Sequence, residues 1–503
     1  MAVEGLAAFI VTGTLYLAFV SRQFDLNGIE EALELDSGKA FSANHLLYRP
    51  LGLLLQESLK LVGVEIQTIF VLQFLTAAAG ATALTLAYLL FRQMEASRFV
   101  AAAVTMGLGT SWAWWAFSTD AMYIPLAAVF VVAALIAFQN CVNERFISIT
   151  GYLTGFAILV WEANVFLIPV FVIGFLLLHP ASASRLRWLV RYVVASLLPV
   201  AAMYSMAALA LRIATPQQFF AWVTSHGNGV GLPMWGYFDW HRIGNAAQTS
   251  ADSIIHRNAS GAVVMIGALA LAAFAMAFWF RCEEWGKFKN AVWLALAYLM
   301  YMPFIVWWDP VEPKWFVIPN VFLAALTVHS FQTLRNRHLP KLALCLLVGT
   351  VLLTNLIVTI WPRRTDPNLN LALAGCVAFH LQPADAVITT DWDWGSYIEY
   401  FFKRREINLV AEAAFTGDVA RTLRYAREQV RRVQRFNGNA YIIDFASQDR
   451  RRLEWLEHQT QLTSERLQPF QGEPAFECVG RTFRRVSRIM DVPAPPPAAR
   501  LSP

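Results

Sequence analysis

The sequence predicts a polytopic α-helical membrane protein of about eleven spans that carries a small α/β domain at its C-terminal end. Two observations predict it. Of the 503 residues 57% are hydrophobic and only 15% charged, a balance no soluble globule carries without exposing large apolar patches. The composition also changes along the chain: residues 1–361 hold the long apolar runs, and residues 362–503 hold half of the lysines and arginines. The net charge of +5 is modest, and the basic residues of the first region fall in short loops, as membrane topology requires and a nucleic-acid footprint does not. No nucleic-acid partner is expected.

A membrane helix needs roughly 20 mostly apolar residues. Such runs lie near 5–21, 66–91, 99–117, 122–140, 147–161, 164–180, 190–211, 259–280, 290–306, 316–333 and 342–361. The first lacks a basic n-region and a small-residue cleavage site, so it reads as an uncleaved span. With the N-terminus in the cytoplasm, the cytoplasmic loops hold Arg92 and Arg98, Arg145, Arg185 to Arg191, Arg281 to Lys289, and Arg335 to Lys341. All are basic, as the positive-inside rule demands, whereas the opposite orientation puts every cluster outside. Residues 362–492 then lie outside the cytoplasm, with the loops 22–65, 212–258 and 307–315. Function is sought in those loops. Leu51 to Leu55 is too short to span and suits a helix in the interface plane.

Beyond residue 384 short strands and amphipathic helices alternate. Ala386–Thr390, Ile407–Val410 and Ala440–Phe445 read as buried strands, and Trp394–Arg404 and Asp418–Phe436 as helices. In the second helix Val419, Leu423, Ala426, Val430 and Val433 repeat at helical spacing and leave the arginines to solvent. Together these make a small α/β domain. Of five cysteines, Cys376 and Cys478 lie here, and a disulfide between them is open to an exported domain. Residues 493–503, rich in Pro and Ala, read as a disordered tail.

Four candidate features share the outer face. Asp25 follows the first span in Phe24-Asp25-Leu26-Asn27-Gly28; it is placed either to accept a proton from a hydroxyl or to cap the next helix. In the same loop Asn44-His45-Leu46-Leu47-Tyr48-Arg49-Pro50 sets His45 and Arg49 four apart, on one face if helical. Arg49 either holds a phosphate or snorkels. Asp120, in Ser118-Thr119-Asp120-Ala121-Met122-Tyr123, stands before an apolar helix that it either caps or serves. Glu162 lies in a turn between two apolar runs, where an ionisable group is costly. Asp309, Glu312 and Lys314 share one short turn, where ion pairing is the plain alternative. No His-x-x-x-His, Cys-x-x-Cys, Walker or dinucleotide motif occurs, so no cofactor is assigned. A divalent cation between Asp25 and Asp120 stays open.

The acidic residue just after helix one, Asp25, the second before helix four, Asp120, the His45–Tyr48 stretch and the Asp120-Ala121-Met122-Tyr123 turn resemble the GT-C superfamily of membrane glycosyltransferases, which includes protein O-mannosyltransferases and aminoarabinose transferases. The likeness covers residues 1–361 in topology and short motifs in sequence. Where some members carry two adjacent acids after helix one, this chain has Asp25 alone, with Glu30 and Glu31 further on. The resemblance implies an enzyme of a bacterial inner membrane that moves a sugar from a polyprenyl-phosphate donor to a lipid, glycan or protein acceptor, with inversion. Such a transfer needs a base and a cation: Asp25 is expected as the base, Arg49 or Lys314 with His45 at the phosphate, and Asp120 and Glu162 at sugar or acceptor hydroxyls, with Tyr48, Tyr123 and Asp309 as further substrate-binding candidates. The rivals are a transporter or lipid flippase, which would carry midplane charges and internal repeats, and a non-catalytic envelope assembly protein.

Overall fold

The computed structural model describes residues 2–141, 143–178, 185–224, 236–256, 285–332, 338–392 and 394–487. These fall into two compact units, one ending at Pro367 and the other beginning at Asn368. The first is helical. In chain order its early elements are α1 (Ala2–Ala18), α2 (Leu26–Asp36), α3 (Tyr48–Leu61), α4 (Thr68–Gln93), α5 (Arg98–Thr110), α6 (Trp112–Ser118), α7 (Ile124–Gln139), α8 (Arg145–Val160), α9 (Leu167–Leu178), α10 (Arg185–Ala210), α11 (Pro216–Val223) and α12 (Trp240–Asp252). Helices Trp285–Leu299, Met302–Trp308, Val317–Gln332 and His338–Asn355 follow.

Among the described residues five helices are long and apolar enough to cross a membrane, Thr68–Gln93 and Arg185–Ala210 among them, and five shorter apolar helices accompany them. Each overlaps an expected span, although Lys341–His380 runs well beyond the expected end at 361 and Arg98–Thr110 stops short of 117. The expected span 259–280 and the expected tail 493–503 lie outside the described residues.

Small residues let the helices approach. A Cβ on Gly151 would stand 2.7 Å from the Tyr192 carbonyl oxygen, and one on Gly155 2.4 Å from that of Ser196, so α8 and α10 meet backbone to backbone, as small-residue interfaces do in lipid. The expected span 99–117 is broken rather than continuous. Ser111 is extended (ψ 145°) between α5 and α6, which frees backbone groups inside the bundle. They are recaptured: Asn355 donates to the Thr110 carbonyl at 2.9 Å, and the N–H groups of Trp112 and Ala113 donate to the carbonyls of Ile254 and Ser253 at 3.1 and 2.9 Å. Such recapture is what makes non-helical backbone tolerable at membrane depth.

The loop after α1 folds as α2 and α3. Its connecting segment is pinned to the bundle by the Leu47 N–H on the Leu159 carbonyl at 3.1 Å and the Tyr204 hydroxyl on the Ala43 carbonyl at 2.6 Å. Leu46, Leu159 and Ala207 form a small buried core beneath it.

The second unit holds a five-stranded sheet of order β2-β1-β3-β5-β4: β1 (Ala386–Thr389), β2 (Arg405–Asn408), β3 (Ala440–Ile443), β4 (Pro474–Cys478) and β5 (Arg481–Arg485). The first three are parallel and in register at Ile388↔Ile407 and Ile388↔Ile442. The second strand starts two residues before the expected Ile407 and ends at Asn408, because the Asn408 side chain accepts the Ala411 N–H and turns Leu409 and Val410 into a helix. The antiparallel hairpin β4–β5 escaped the sequence pattern: Phe483 is buried, but its strand is otherwise Arg and Thr. Its turn uses Val479 and Gly480, both at positive φ, as two-residue hairpins require. Cys376 and Cys478 are joined as a disulfide.

Candidate active site

Asp25 lies where the chain leaves α1 and enters α2. It caps α2, Oδ1 accepting the Asn27 N–H at 2.9 Å and the Asn27 side-chain amide at 2.8 Å. Among the described residues nothing bonds Oδ2, so capping occupies half of the carboxylate. The Asp25 N–H in turn donates to Oδ2 of Asp120 at 2.9 Å.

Asp120 is fully buried and is no helix cap, because α7 begins at Ile124 with Tyr123 in the capping position. The carboxylate points back to the chain after α1. Its Oδ1 accepts the Ala121 N–H at 2.8 Å, and its Oδ2 also accepts Arg363 at 3.0 Å. Arg363 further donates to the Gln23 carbonyl at 3.2 Å, and its own carbonyl accepts the Arg22 N–H at 2.9 Å. Burial pushes the Asp120 carboxyl up to about 7 against the pull of Arg363.

Beneath this clasp the Thr76 hydroxyl lies 3.0 Å from the Met122 carbonyl, 3.2 Å from the Met122 N–H and 3.0 Å from the Tyr48 hydroxyl. Tyr48 thus supports the 120–123 turn from inside the protein. His45 stacks on Tyr123 with centroids 3.6 Å apart, its Nδ1 3.3 Å from the Val160 carbonyl. It does not share a helix face with Arg49, since α3 starts only at Tyr48. Arg49 neither snorkels nor stands free: it is 7% exposed and donates to Glu31 at 2.6 and 3.2 Å, with Glu34 3.5 Å away. A guanidinium so committed has little left for a phosphate. Burial raises Glu31, and Arg49 opposes it.

Glu162 opens a 3₁₀ turn, Glu162–Phe166, and its Oε2 is shielded from solvent with no hydrogen-bond partner among the described residues. Its charge acts on Tyr123. In the 309–315 turn Lys314 pairs with Glu312 at 3.9 Å and stands 4.9 Å over the Trp315 ring, which stacks on Trp161. The expected ion pair is present, yet the turn reaches further: the charges of Glu312, Asp25, Asp309 and Glu30 all act on Lys314. Burial pushes Glu312 up to about 7, with Lys314 pulling down and Asp25 pushing up; Asp309 is raised by burial too. Glu30 is raised by the protein around it, then by Glu31 and Asp25, although its side chain is open to water. Water reaching it screens that crowding.

Distant turns thus deliver Asp25, Asp120 and the 309–315 turn to one place, and the Glu162 turn meets the last of these through the stacked rings of Trp161 and Trp315. The sequence reading missed Arg363, which stands just past the last expected span. Under the orientation read from the loops, Arg363 and Arg364 are basic residues on the outer face, an exception to the positive-inside rule that was their signal. It also missed Arg242, 4% exposed, whose guanidinium donates to the Val306 and Trp308 carbonyls at 2.7 Å each and anchors the chain entering the 309–315 turn. Asp25 and Asp120 make a poor cation pair as arranged, because Asp120 spends both oxygens on amides and a guanidinium whose charge opposes a metal there.

No protein-family model and no curated protein sequence matches the chain. Solved structures do. ArnT from Cupriavidus metallidurans bound to undecaprenyl phosphate is similar over 96% of this chain and 97% of its own, with TM-score 0.62 and 12% identity; the apo ArnT gives 0.60 and 11%. The Archaeoglobus fulgidus oligosaccharyltransferase, in complex with zinc and sulfate, is similar over 96% of this chain and 73% of its own, with TM-score 0.51 and 12% identity. The chain is a polytopic membrane protein. Its fold is that of ArnT and of the archaeal oligosaccharyltransferase.

Proposed function

We propose that this protein is a membrane glycosyltransferase that moves a hexose or pentose from a polyprenyl-phosphate donor to an acceptor hydroxyl, inverting the anomeric carbon. The observation that carries the reading is the convergence, on a GT-C bundle, of a half-free carboxylate with a buried cation: Asp25, positioned through its own N–H by Asp120, and Lys314. As the glycosidic bond breaks, the leaving phosphate gains negative charge and the attacking hydroxyl must lose a proton. Asp25 Oδ2 takes the proton. Lys314 stabilises the phosphate, since Arg49 is held by Glu31. Asp120 acts one step back, holding the Asp25 amide, and Glu162, Asp309, His45 and Tyr123 orient substrate groups. ArnT, bound to undecaprenyl phosphate in its structure, supports a polyprenyl-phosphate ligand.

The setting is a bacterial inner membrane, with the N-terminus cytoplasmic and the second unit outside. The Cys376–Cys478 disulfide supports this, because disulfides persist in oxidising compartments. The acceptor is a lipid, glycan or protein of the envelope.

The test incubates the purified protein with undecaprenyl phosphate carrying different sugars and follows loss of the sugar by mass spectrometry. Asp25→Asn should lower transfer by about 10²–10⁴-fold with normal membrane insertion. Undiminished transfer removes Asp25 from the reaction, and no consumption of any donor by the wild type favours a carrier or scaffold instead.

A further inference from the structure

The second unit carries a set of metal-binding side chains that the transfer reaction does not use. Cys376 and His380 stand four apart near the end of the helix Leu369–His380, so both side chains leave one face of it. Cys478 ends β4, the strand that packs against this helix. The two sulfurs and an imidazole nitrogen all lie within 4.8 Å of one another. Phe476 holds the imidazole in place: the rings stack at 4.6 Å, 12° from parallel, and Phe476 shares a face of β4 with Cys478. Cys478 is buried, Cys376 is half-buried and His380 is exposed, so the group opens to solvent on the imidazole side.

Two sulfurs and an imidazole, with no carboxylate among them, suit a borderline-soft ion such as zinc and not magnesium or calcium. Tetrahedral zinc with these ligands sets their donor atoms roughly 3.5–3.8 Å apart. The imidazole comes to that distance by a small side-chain rotation, and the sulfurs do so once the bond between them is cut. They are joined to each other in the structure, so disulfide and metal exclude one another. We propose that Cys376, His380 and Cys478 are a zinc site of the reduced protein, with a water as the fourth ligand. Metal and disulfide are then alternative clamps between the helix and β4. A dithiol reductant gives two electrons and two protons to the disulfide and itself becomes a disulfide; zinc then displaces the two thiol protons and keeps its oxidation state. Helix and strand stay tied in either redox state, and this clamp is independent of any glycosyl transfer.

Alkylation of the full-length protein, resolved by site, tests this. The protein is reduced with a phosphine, freed of reductant under argon and treated with iodoacetamide over a range of zinc chloride concentrations. Peptide mass spectrometry then reads Cys376, the less buried of the pair, apart from the other cysteines. Cys376 should label without zinc, resist labelling with it, and label again after EDTA. His380→Ala, at an exposed position, should raise the half-protecting zinc concentration more than about 10-fold, since even the loss of an outer-shell partner costs about 10- to 100-fold. Labelling that zinc leaves unchanged overturns the site. So does protection that EDTA fails to reverse, which marks a re-formed disulfide. Equal protection in the wild type and His380→Ala overturns the three-ligand set, and a Cys376 that stays unlabelled after the phosphine excludes the reduced state that the metal requires.

Discussion

In an Arg363→Gln variant Asp120 keeps its two amide donors, from Asp25 and Ala121, but loses the guanidinium 3.0 Å from Oδ2. Removing one partner of a fully buried pair costs about 3–5 kcal/mol. Asp120 is fully buried, but the Arg363 side chain is 25% exposed, so water can enter the vacated place and screen what remains. Glutamine also keeps a neutral donor. About 2 kcal/mol of lost stability is the expectation on those grounds. Asp120→Asn in the same background removes the stranded charge and sacrifices one amide bond, worth about 1 kcal/mol. The double variant should therefore be no less stable than Arg363→Gln, and the cycle should show a coupling of roughly 1–2 kcal/mol. Equilibrium unfolding in SDS mixed micelles, followed by circular dichroism, measures all four proteins. Additivity within about 0.5 kcal/mol would refute the clasp as an energetic unit. Transfer activity should fall in both single variants by more than their stability explains, because Asp120 carries the Asp25 amide.

Two further outcomes follow from the same geometry. Cys376→Ser should destabilise the second unit by up to about 4–5 kcal/mol in the chain-entropy account of a cross-link between residues 102 apart; limited proteolysis of that unit reads the loss, and thiol labelling of the wild type with and without reductant checks the bond. Transfer should fall toward acid with a limb near pH 7, because Asp120 and Glu312 are raised to about 7 and must be ionised to position Asp25 and balance Lys314. Stability takes the opposite sign: between about pH 4 and 7 the folded chain holds protons that the unfolded chain releases, so the contribution of these two groups declines as pH rises. A pH–rate profile and SDS unfolding at pH 5 and 8 measure the two trends, and Glu312→Gln should remove part of each.

Legibility followed the range of the interactions. The apolar runs were readable because a helix in lipid satisfies its own backbone and needs only local composition. The gathering of Asp25, Asp120 and Asp309 was readable because span count and loop charge decide which end of the bundle each turn reaches. The partners at that end were not. Arg49 finds Glu31 across two helices, at a separation of 18 that no periodicity marks. The break at Ser111 depends on carbonyls at 253 and 254 and on Asn355. Asp120 was open to two readings, a cap for the helix after it or a functional group, and besides the neighbouring Ala121 N–H its donors come from before α2 and from beyond the last span. In the second unit the buried strands showed as apolar runs, whereas β5 presents one buried phenylalanine among arginines and has no such signature.

Gly28 shows how finely that non-local placement is set. A Cβ there would stand 2.6 Å from the Ala121 carbonyl oxygen and 3.0 Å from the Ala121 Cβ. The first contact is with backbone that cannot rotate aside, and the turn behind it is fixed through Met122 to Thr76. In Gly28→Ala, α2 must therefore move away by several tenths of an ångström, stretching the 2.9 Å bond from the Asp25 N–H to Asp120. Overpacking of this kind costs roughly 1–3 kcal/mol, and alanine returns about 1 kcal/mol in helix propensity, so the net loss of stability should stay under about 2 kcal/mol. Activity has no such compensation, because several tenths of an ångström at the base is a sizeable part of the roughly 1 Å that costs about 10²-fold in rate. The signature is thus a large fall in transfer with a small fall in stability. Adding Ala121→Gly should not restore transfer, since it removes the Cβ contact and leaves the carbonyl where it was. Unchanged transfer in Gly28→Ala would mean that the position of Asp25 is not set by this contact, and the clasp would lose its role in holding the base.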